Sequence, residues 1–331
     1  MSGDMVLESG ALRVTVRPRL GGTITEIRQK VSGLSVLATV PWGAVEAPLE
    51  SGAAPDERTW LTRYTGGWPL LFPNGGDACT VDGVFHGFHG EASISPWDAR
   101  LHGNAIRLER RMTTVPVHLT RTISVDRDVL RVQERAVNES AAPLAVMWGH
   151  HPTFGSDLLA GAFEITTGAH RVTVDRGYDP PANPLRPGAT GRWPVVPGKQ
   201  GDVDLHRPMS TAADGRMASL AYLDDFESPW IALRRLDDAI AVVLSWDGAM
   251  FPTAWLWFEL AGTSDVPWDG RTHLVGLEPN TTPLAYGLAE ARRQGVRLLT
   301  LEPARPVEAE VQLQVFKPAG TVSGDAIVAL R

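Results

Sequence analysis

Three stretches of this chain end apolar runs in side chains that can carry protons. The first, Met147-Trp148-Gly149-His150-His151-Pro152-Thr153-Phe154, sets adjacent imidazoles at the end of the apolar run Pro143 to Trp148. Successive residues of a strand face opposite sides, so His150 and His151 should not do the same job. Pro152 ends that strand or confines it to an edge. Imidazole titrates near neutrality, which suits general acid–base work, but a strand His-His pair also serves as structure, and both readings stand at this level. In the second stretch, Leu274-Val275-Gly276-Leu277-Glu278-Pro279-Asn280, four apolar residues run into a carboxylate, and the proline is expected to stop the strand directly afterwards. Glu278 shares a face with Gly276 and Leu274. A carboxylate there is either paired, with an arginine for example, or used. The third stretch, Val84-Phe85-His86-Gly87-Phe88-His89-Gly90-Glu91, spaces two histidines by three, each followed by glycine, and reads as a loop that presents side chains rather than packs them. Metal binding by His86 and His89 would need a third ligand.

The elements that must position these groups read as strands almost throughout. Leu12 to Pro18 alternates, Gly21-Gly22 turns and Thr23 to Ile27 resumes, which is the start of a β-meander. Pro41 to Asp56 loses alternation and is rich in Ala, Pro, Gly and Glu, so a long surface loop is expected. Pro69 and Pro73 exclude a helix between Gly66 and Asp77, and Asp82-Gly83 marks a tight turn. Three alternating runs follow between Ala105 and Val137, with one wet face and one apolar face, as in antiparallel sheets. Pro180 to Pro197 is expected to lie over the surface. Further strands are expected at Ala218 to Leu223, Trp230 to Arg234, Ile240 to Trp246 and Thr253 to Leu260, with Asp237-Asp238 at a hairpin tip. One short helix fits 284–294, and Arg297 to Leu301 and Glu308 to Phe316 read as closing strands.

Bulk composition narrows the classes. The 331 residues suit one large all-β domain, and 33 glycines with 25 prolines describe a folded, turn-rich chain. Eleven tryptophans against four tyrosines supply flat apolar rings that suit sugar faces and also fill cores. A net charge of −7 with no basic stripe argues against a nucleic-acid partner. With Cys79 as the only cysteine, neither an intrachain disulfide nor a multi-cysteine zinc site can form. The N-terminus has no basic flank leading into an apolar run, and no apolar stretch reaches about 18 residues, so a cytoplasmic protein without membrane association is expected.

Taken together, the pieces resemble the aldose 1-epimerase (galactose mutarotase) family. The resemblance is carried by His86 to Glu91 with Trp97, by His151-Pro152-Thr153-Phe154 and by Gly276-Leu277-Glu278-Pro279, in order and approximate spacing. Val14-Thr15-Val16 with Gly21-Gly22, and the terminal Val315-Phe316, extend it over nearly the whole chain. It implies an all-β fold, one large antiparallel β-sandwich of the galactose mutarotase-like supersandwich type over residues 1–331, with a sugar cleft. It also implies interconversion of the α and β anomers of a hexose or modified hexose, with Glu278 as general base at the anomeric hydroxyl and His151 as general acid at the ring oxygen. One earlier histidine would hold the sugar: His89, whose His-Gly-Glu-Ala context is closer to the family's pattern, or alternatively His86. Further substrate-binding candidates are Asn74, although glycines follow it where the family often has an arginine nearby, and Asp225, which with Asp247 lies in the interval where the family places a sugar-binding aspartate. Trp148, Trp255, Trp257 and Phe88 are candidate stacking walls, Trp148 and Trp257 among the substrate contacts, and His150 is a second-rank polar candidate.

The chemistry explains why a Glu and a His are wanted together. An anomeric hydroxyl has a pKa of about 12, so full transfer to an ordinary carboxylate would be uphill by roughly 10 kcal/mol. If a histidinium donates to the ring oxygen as the carboxylate takes the proton, no alkoxide forms. Neither metal nor cofactor is implied, the expected partner is a small-molecule sugar substrate, and the protein is expected to be a monomer or homodimer. A carboxylate near His151 is expected to favour its charged form, with Glu278 partly exposed across the same cleft. A phosphorylated sugar would call for Arg63 or Arg19 at the rim. The competing class is a non-catalytic carbohydrate-binding or sensing protein on the same scaffold; a polysaccharide lyase or hydrolase ranks last for want of a basic cluster.

Overall fold

A computed structural model describes residues 3–45, 54–208 and 215–322. Part of the expected Pro41 to Asp56 loop, residues 46–53, lies outside them. The described chain is dominated by antiparallel strands, and its first three, Met5–Glu8, Leu12–Arg17 and Thr23–Gln29, form the expected meander. The principal sheet has 14 strands. Its hydrogen-bonded path begins at Leu70–Leu71 and passes through Gly149–His150, His273–Asn280, Thr253–Leu260 and Met217–Arg235. It then crosses Ala241–Trp246, Pro306–Phe316, Val129–Asn138, Val117–Asp126, Ala105–Arg111 and Asp98–His102.

Alternation dictates which strands have a wet face. In Val117–Asp126 and Val129–Asn138 buried and less buried residues alternate along nearly the whole length, the signature of a strand with core on one side only. In Thr253–Leu260 every residue but Trp257 is buried, and in His273–Asn280 every residue after His273 is. Those two central strands are therefore covered on both faces, by the core on one and by the floor of a cavity on the other.

The sheet folds back on itself. The Gly149–His150 strand stands six hydrogen-bonding steps from Val129–Asn138, which in a flat sheet would separate them by roughly 30 Å. Yet His150 Nε2 lies 3.4 Å from Glu134 Oε2, and Trp148 Nε1 donates to the same oxygen at 2.9 Å. Met217–Arg235 makes the bend: its first part pairs with Thr253–Leu260 and its last with Ala241–Trp246. Residues 218–223 and 230–234, expected as two strands, are thus one 19-residue strand. Asp225 sits at the bend with φ 54°, opposite a register shift between Thr167 and Ala169.

One other expectation changes. Pro279 does not end its strand, which runs on to Asn280 with Pro279 opposite Ala254. Leu277 N and Thr281 N donate to Pro152 O and Trp148 O, so the N–H that proline lacks falls where the neighbouring chain is broken into two short strands. A short helix, Glu57–Leu61, also occupies the stretch before Gly66; Asp56 caps it by accepting from Thr59 N at 2.7 Å. The helix expected within 284–294 is present as Gly287–Arg293. Among the described residues no helix is long and apolar enough to cross a membrane.

Glu134 is held between the layers by Trp148, by His150 and by Arg121, whose Nε lies 3.1 Å from Oε1, all essentially without solvent exposure. Removing that carboxylate strands a buried guanidinium, so Glu134→Ala is expected to cost about 3–5 kcal/mol in denaturant unfolding. A loss of under ~1 kcal/mol would show that the layers do not rely on it.

Candidate active site

The register of the central strands brings the two proton-carrying groups together. Gly149 pairs with Asn280, and Thr153 pairs with Gly276. The residues midway between these pairs are His151 and Glu278. His150 turns into the sandwich, where Nδ1 accepts from Trp68 Nε1 at 3.1 Å; burial and the charge of Arg121 hold its pKa well below the usual imidazole value. His151 turns the other way, with Nδ1 3.6 Å from Glu278 Oε1. Adjacent histidines thus do different work because strand side chains alternate.

Glu278 reaches this position because residue 276 is glycine. A Cβ at Gly276 would stand 2.2 Å from Glu278 Oε1, so the carboxylate lies over ground that any other residue would occupy. Trp255 and Trp257 face Glu278 and Gly276 across the ladder and complete the floor.

His151 is enclosed by rings. Its imidazole centroid lies 5.2 Å from that of His89, 5.6 Å from Trp257, 5.8 Å from Tyr64 and 5.9 Å from Trp60. Trp60 is fixed by donating to Ser93 Oγ, and Tyr64 by donating to Thr153 Oγ1. The electrostatic effect of this packing is opposite to the expectation for His151: burial pulls its pKa down to about 4, against a smaller raising effect of a hydrogen bond with its own backbone. Burial likewise pushes Glu278 well above the usual carboxylate range. Glu278 is only 1% exposed, more enclosed than anticipated, and its Oε2 has no hydrogen-bond partner; nor has His151 Nδ1. Burial thus disfavours the charged form of both members of the pair.

His89 also faces the cavity, of about 200 Å³. Its N donates to Gly76 O, and its Nδ1 accepts from Gly76 N at 2.9 Å, so Nε2 carries the hydrogen available to a ligand. This reciprocal bond needs Gly76 at φ 80°, where a Cβ would stand 1.8 Å from Ala285 O. Burial, with the neighbouring His151, keeps His89 neutral by holding its pKa well below the usual value. Trp255, Trp257 and Phe88 line the same cavity.

Four other candidates lie elsewhere. His86 is buried in the Val84–His86 strand, opposite Cys79 and outside the cavity. Neither histidine of the Val84–Glu91 segment is presented to bulk solvent. Asn74 is a staple: Nδ2 donates to Asp77 O and Gly87 O, and Oδ1 accepts from Leu288 N. Asp225 is exposed at the strand bend, and Trp148 is in the core on Glu134. Asp247, weighed beside Asp225, is exposed and accepts from Ala249 N at a turn. Neither Arg19 nor Arg63 lines the cavity. Among the described residues no cluster of three or more His, Cys, Asp or Glu could hold a metal.

Sequence reasoning missed the aspartate that is in the cavity wall, Asp175. It lies directly after the Phe163–Val174 strand. Asp175 Oδ1 accepts from Gly177 N, Tyr178 N and the Tyr286 hydroxyl, and Oδ2 from the Tyr222 hydroxyl. It mainly fixes the tyrosines and retains acceptor capacity on Oδ2. Trp60 and Trp268 are the other walls not anticipated.

No protein-family model matches the sequence, and no curated protein matches it. Solved structures do match in fold. The Slr1438 protein of Synechocystis sp. PCC 6803 is similar at TM-score 0.66 and 19% identity over 96% of this chain and 97% of its own. A galactose mutarotase-like protein from Lactobacillus casei ATCC 334 gives 0.61 and 16%, covering 95% of this chain and 100% of its own. The GalM/aldose epimerase homologue from C. elegans gives 0.62 and 13%, covering 96% and 99%. The chain has the galactose mutarotase-like β-sandwich fold.

Because the Glu278 carboxyl rests over Gly276, Gly276→Ala is expected to lose about 1–3 kcal/mol through overpacking, read by chemical denaturation. A variant as stable as the parent would mean that the carboxyl rests elsewhere.

Proposed function

We propose that the chain interconverts the α and β anomers of an aldose. The observation that supports this most is the Glu278–His151 pair, 3.6 Å apart at the floor of an aromatic-walled cavity, with one unpartnered polar atom on each side chain. Names of aldose epimerase and galactose mutarotase type among the structural neighbours point the same way.

Ring opening needs one group to take the anomeric proton and another to protonate the ring oxygen, and a pair sharing one proton supplies both. A sugar hydroxyl that donates to Glu278 favours its ionised form and so shifts the shared proton to His151. Glu278 then takes the anomeric proton while His151 delivers its own to the ring oxygen, and the bond between the anomeric carbon and that oxygen breaks. The open aldehyde rotates about its first carbon–carbon bond. Reclosure on the other face returns both protons. His89 Nε2–H would hold a sugar oxygen, and the indoles would cover the sugar's apolar face.

Anomer exchange followed by NMR tests this. Glu278→Gln is expected to slow exchange about 10²- to 10⁴-fold while a sugar still binds. Unchanged exchange would end this reading, and binding without exchange in the parent would make the protein a carbohydrate binder.

The pH profile is a separate check. The pair is active with one proton, so activity falls once His151 also becomes protonated. With its pKa lowered to about 4, the acid limb of kcat/KM is expected near there. A limb at the ordinary histidine value, about 6.5, would show a solvated His151.

A further inference from the structure

The cavity carries a charge pattern that proton transfer to and from the ring does not require. Glu57 and Asp77 stand exposed at its mouth, Asp175 is buried in the wall and Glu278 at the floor. No Lys or Arg lines it among the described residues, and Arg331 is the only Lys or Arg in the sequence outside them. Crowding by the walls raises the carboxyls of Glu57 and Asp77, and the neighbouring charges that act on them are negative: Asp77 and Asp56 on Glu57, Asp175 on Asp77.

Acidic residues alone would say little, since the chain carries a net charge of −7. The second observation is that the same cavity contains the buried, unpartnered Glu278 Oε2 and His151 Nδ1. These acids therefore surround a site built for a polar ligand, not a solvated face.

We propose that the site prefers an aldose bearing a protonated amine, an aminodeoxy sugar, over its neutral parent and rejects sugar phosphates and uronates. This rests on the anomer-exchange reading for where the sugar's reacting end lies. With Glu278 and His151 at the floor and Glu57 and Asp77 at the mouth, the ammonium sits at the end of the sugar remote from its anomeric carbon. There it meets two carboxylates, whereas a phosphate would meet the same field with opposite sign. Both mouth groups are exposed, so the preference is moderate and weakens with salt.

A matched series isolates charge: 6-amino-6-deoxy, 6-hydroxy and 6-phosphate forms of glucose and of galactose. Binding by calorimetry and exchange by NMR are measured separately, at low and high salt. The amine is expected to bind roughly tenfold tighter than the parent sugar and the phosphate roughly tenfold weaker, with both gaps shrinking in salt. In Glu57→Gln/Asp77→Asn the ratio of amine to parent affinity is expected to fall towards one. An amine that binds no better than its parent, a phosphate that binds best, a ratio unmoved by the substitutions, or no binding of any member overturns the proposal. The charge order without exchange on any sugar would leave this proposal standing and remove the anomer-exchange reading; exchange without a charge order would do the reverse.

Discussion

The buried carboxylate of Glu134 is the contact on which the rest of the structure turns. It belongs to a strand with one wet face, yet it accepts from Trp148 and stands beside Arg121 and His150 with almost no solvent. Apolar packing and strand register both bear on where a long sheet closes. A charged group that must find its partners does impose a place. Glu134 sets that place one residue from His151, so the fold's buried ion pair and the imidazole of the candidate site share a stretch of backbone.

This arrangement separates two tasks that neighbouring residues would otherwise confuse. His150, neutral and held by Trp68, anchors the strand from inside. His151 is left on the other face, where rings rather than hydrogen bonds confine it. Register does the remaining work: the pairs Gly149–Asn280 and Thr153–Gly276 leave no other residue of the central strand opposite His151 than Glu278. Gly276 then supplies the space.

Strand periodicity made much of this legible from sequence. Period-two runs disclosed most of the long strands, the opposed directions of His150 and His151, and a carboxylate on an otherwise apolar strand at Glu278. What stayed hidden depends on contacts between segments far apart in sequence. The helix carrying Trp60 has five residues, too few for any helical period to show, and it is stabilised by its Asp56 cap and by burial of Trp60. The Phe163–Val174 strand is interrupted by Gly168, where a Cβ would stand 2.1 Å from Ser228 O. That break masks the alternation leading to Asp175. Asn74 is a candidate through the family resemblance and its polar type, but its amide is consumed by the backbone of three other residues. Polar type and a flexible setting do not distinguish a side chain that binds a ligand from one that fastens a loop.

Under the proposed anomer exchange, burial of the Glu278–His151 pair has two opposed effects, the first being that it disfavours the ionised carboxylate and the charged imidazole together. The same burial raises the intrinsic strength of both. A carboxylate whose conjugate acid has a raised pKa is a better base than one in water, and an imidazolium with a pKa of about 4 is a better acid. The cost falls on moving one proton across 3.6 Å within the pair, a step that a sugar hydroxyl bonded to Glu278 favours. The gain falls on the proposed bond-breaking step, where both groups would act on a weakly acidic hydroxyl and a weakly basic ether oxygen. A buried floor walled by indoles therefore suits the proposed acid–base chemistry on a hemiacetal, because burial holds both pKa values away from their ordinary, weaker ones.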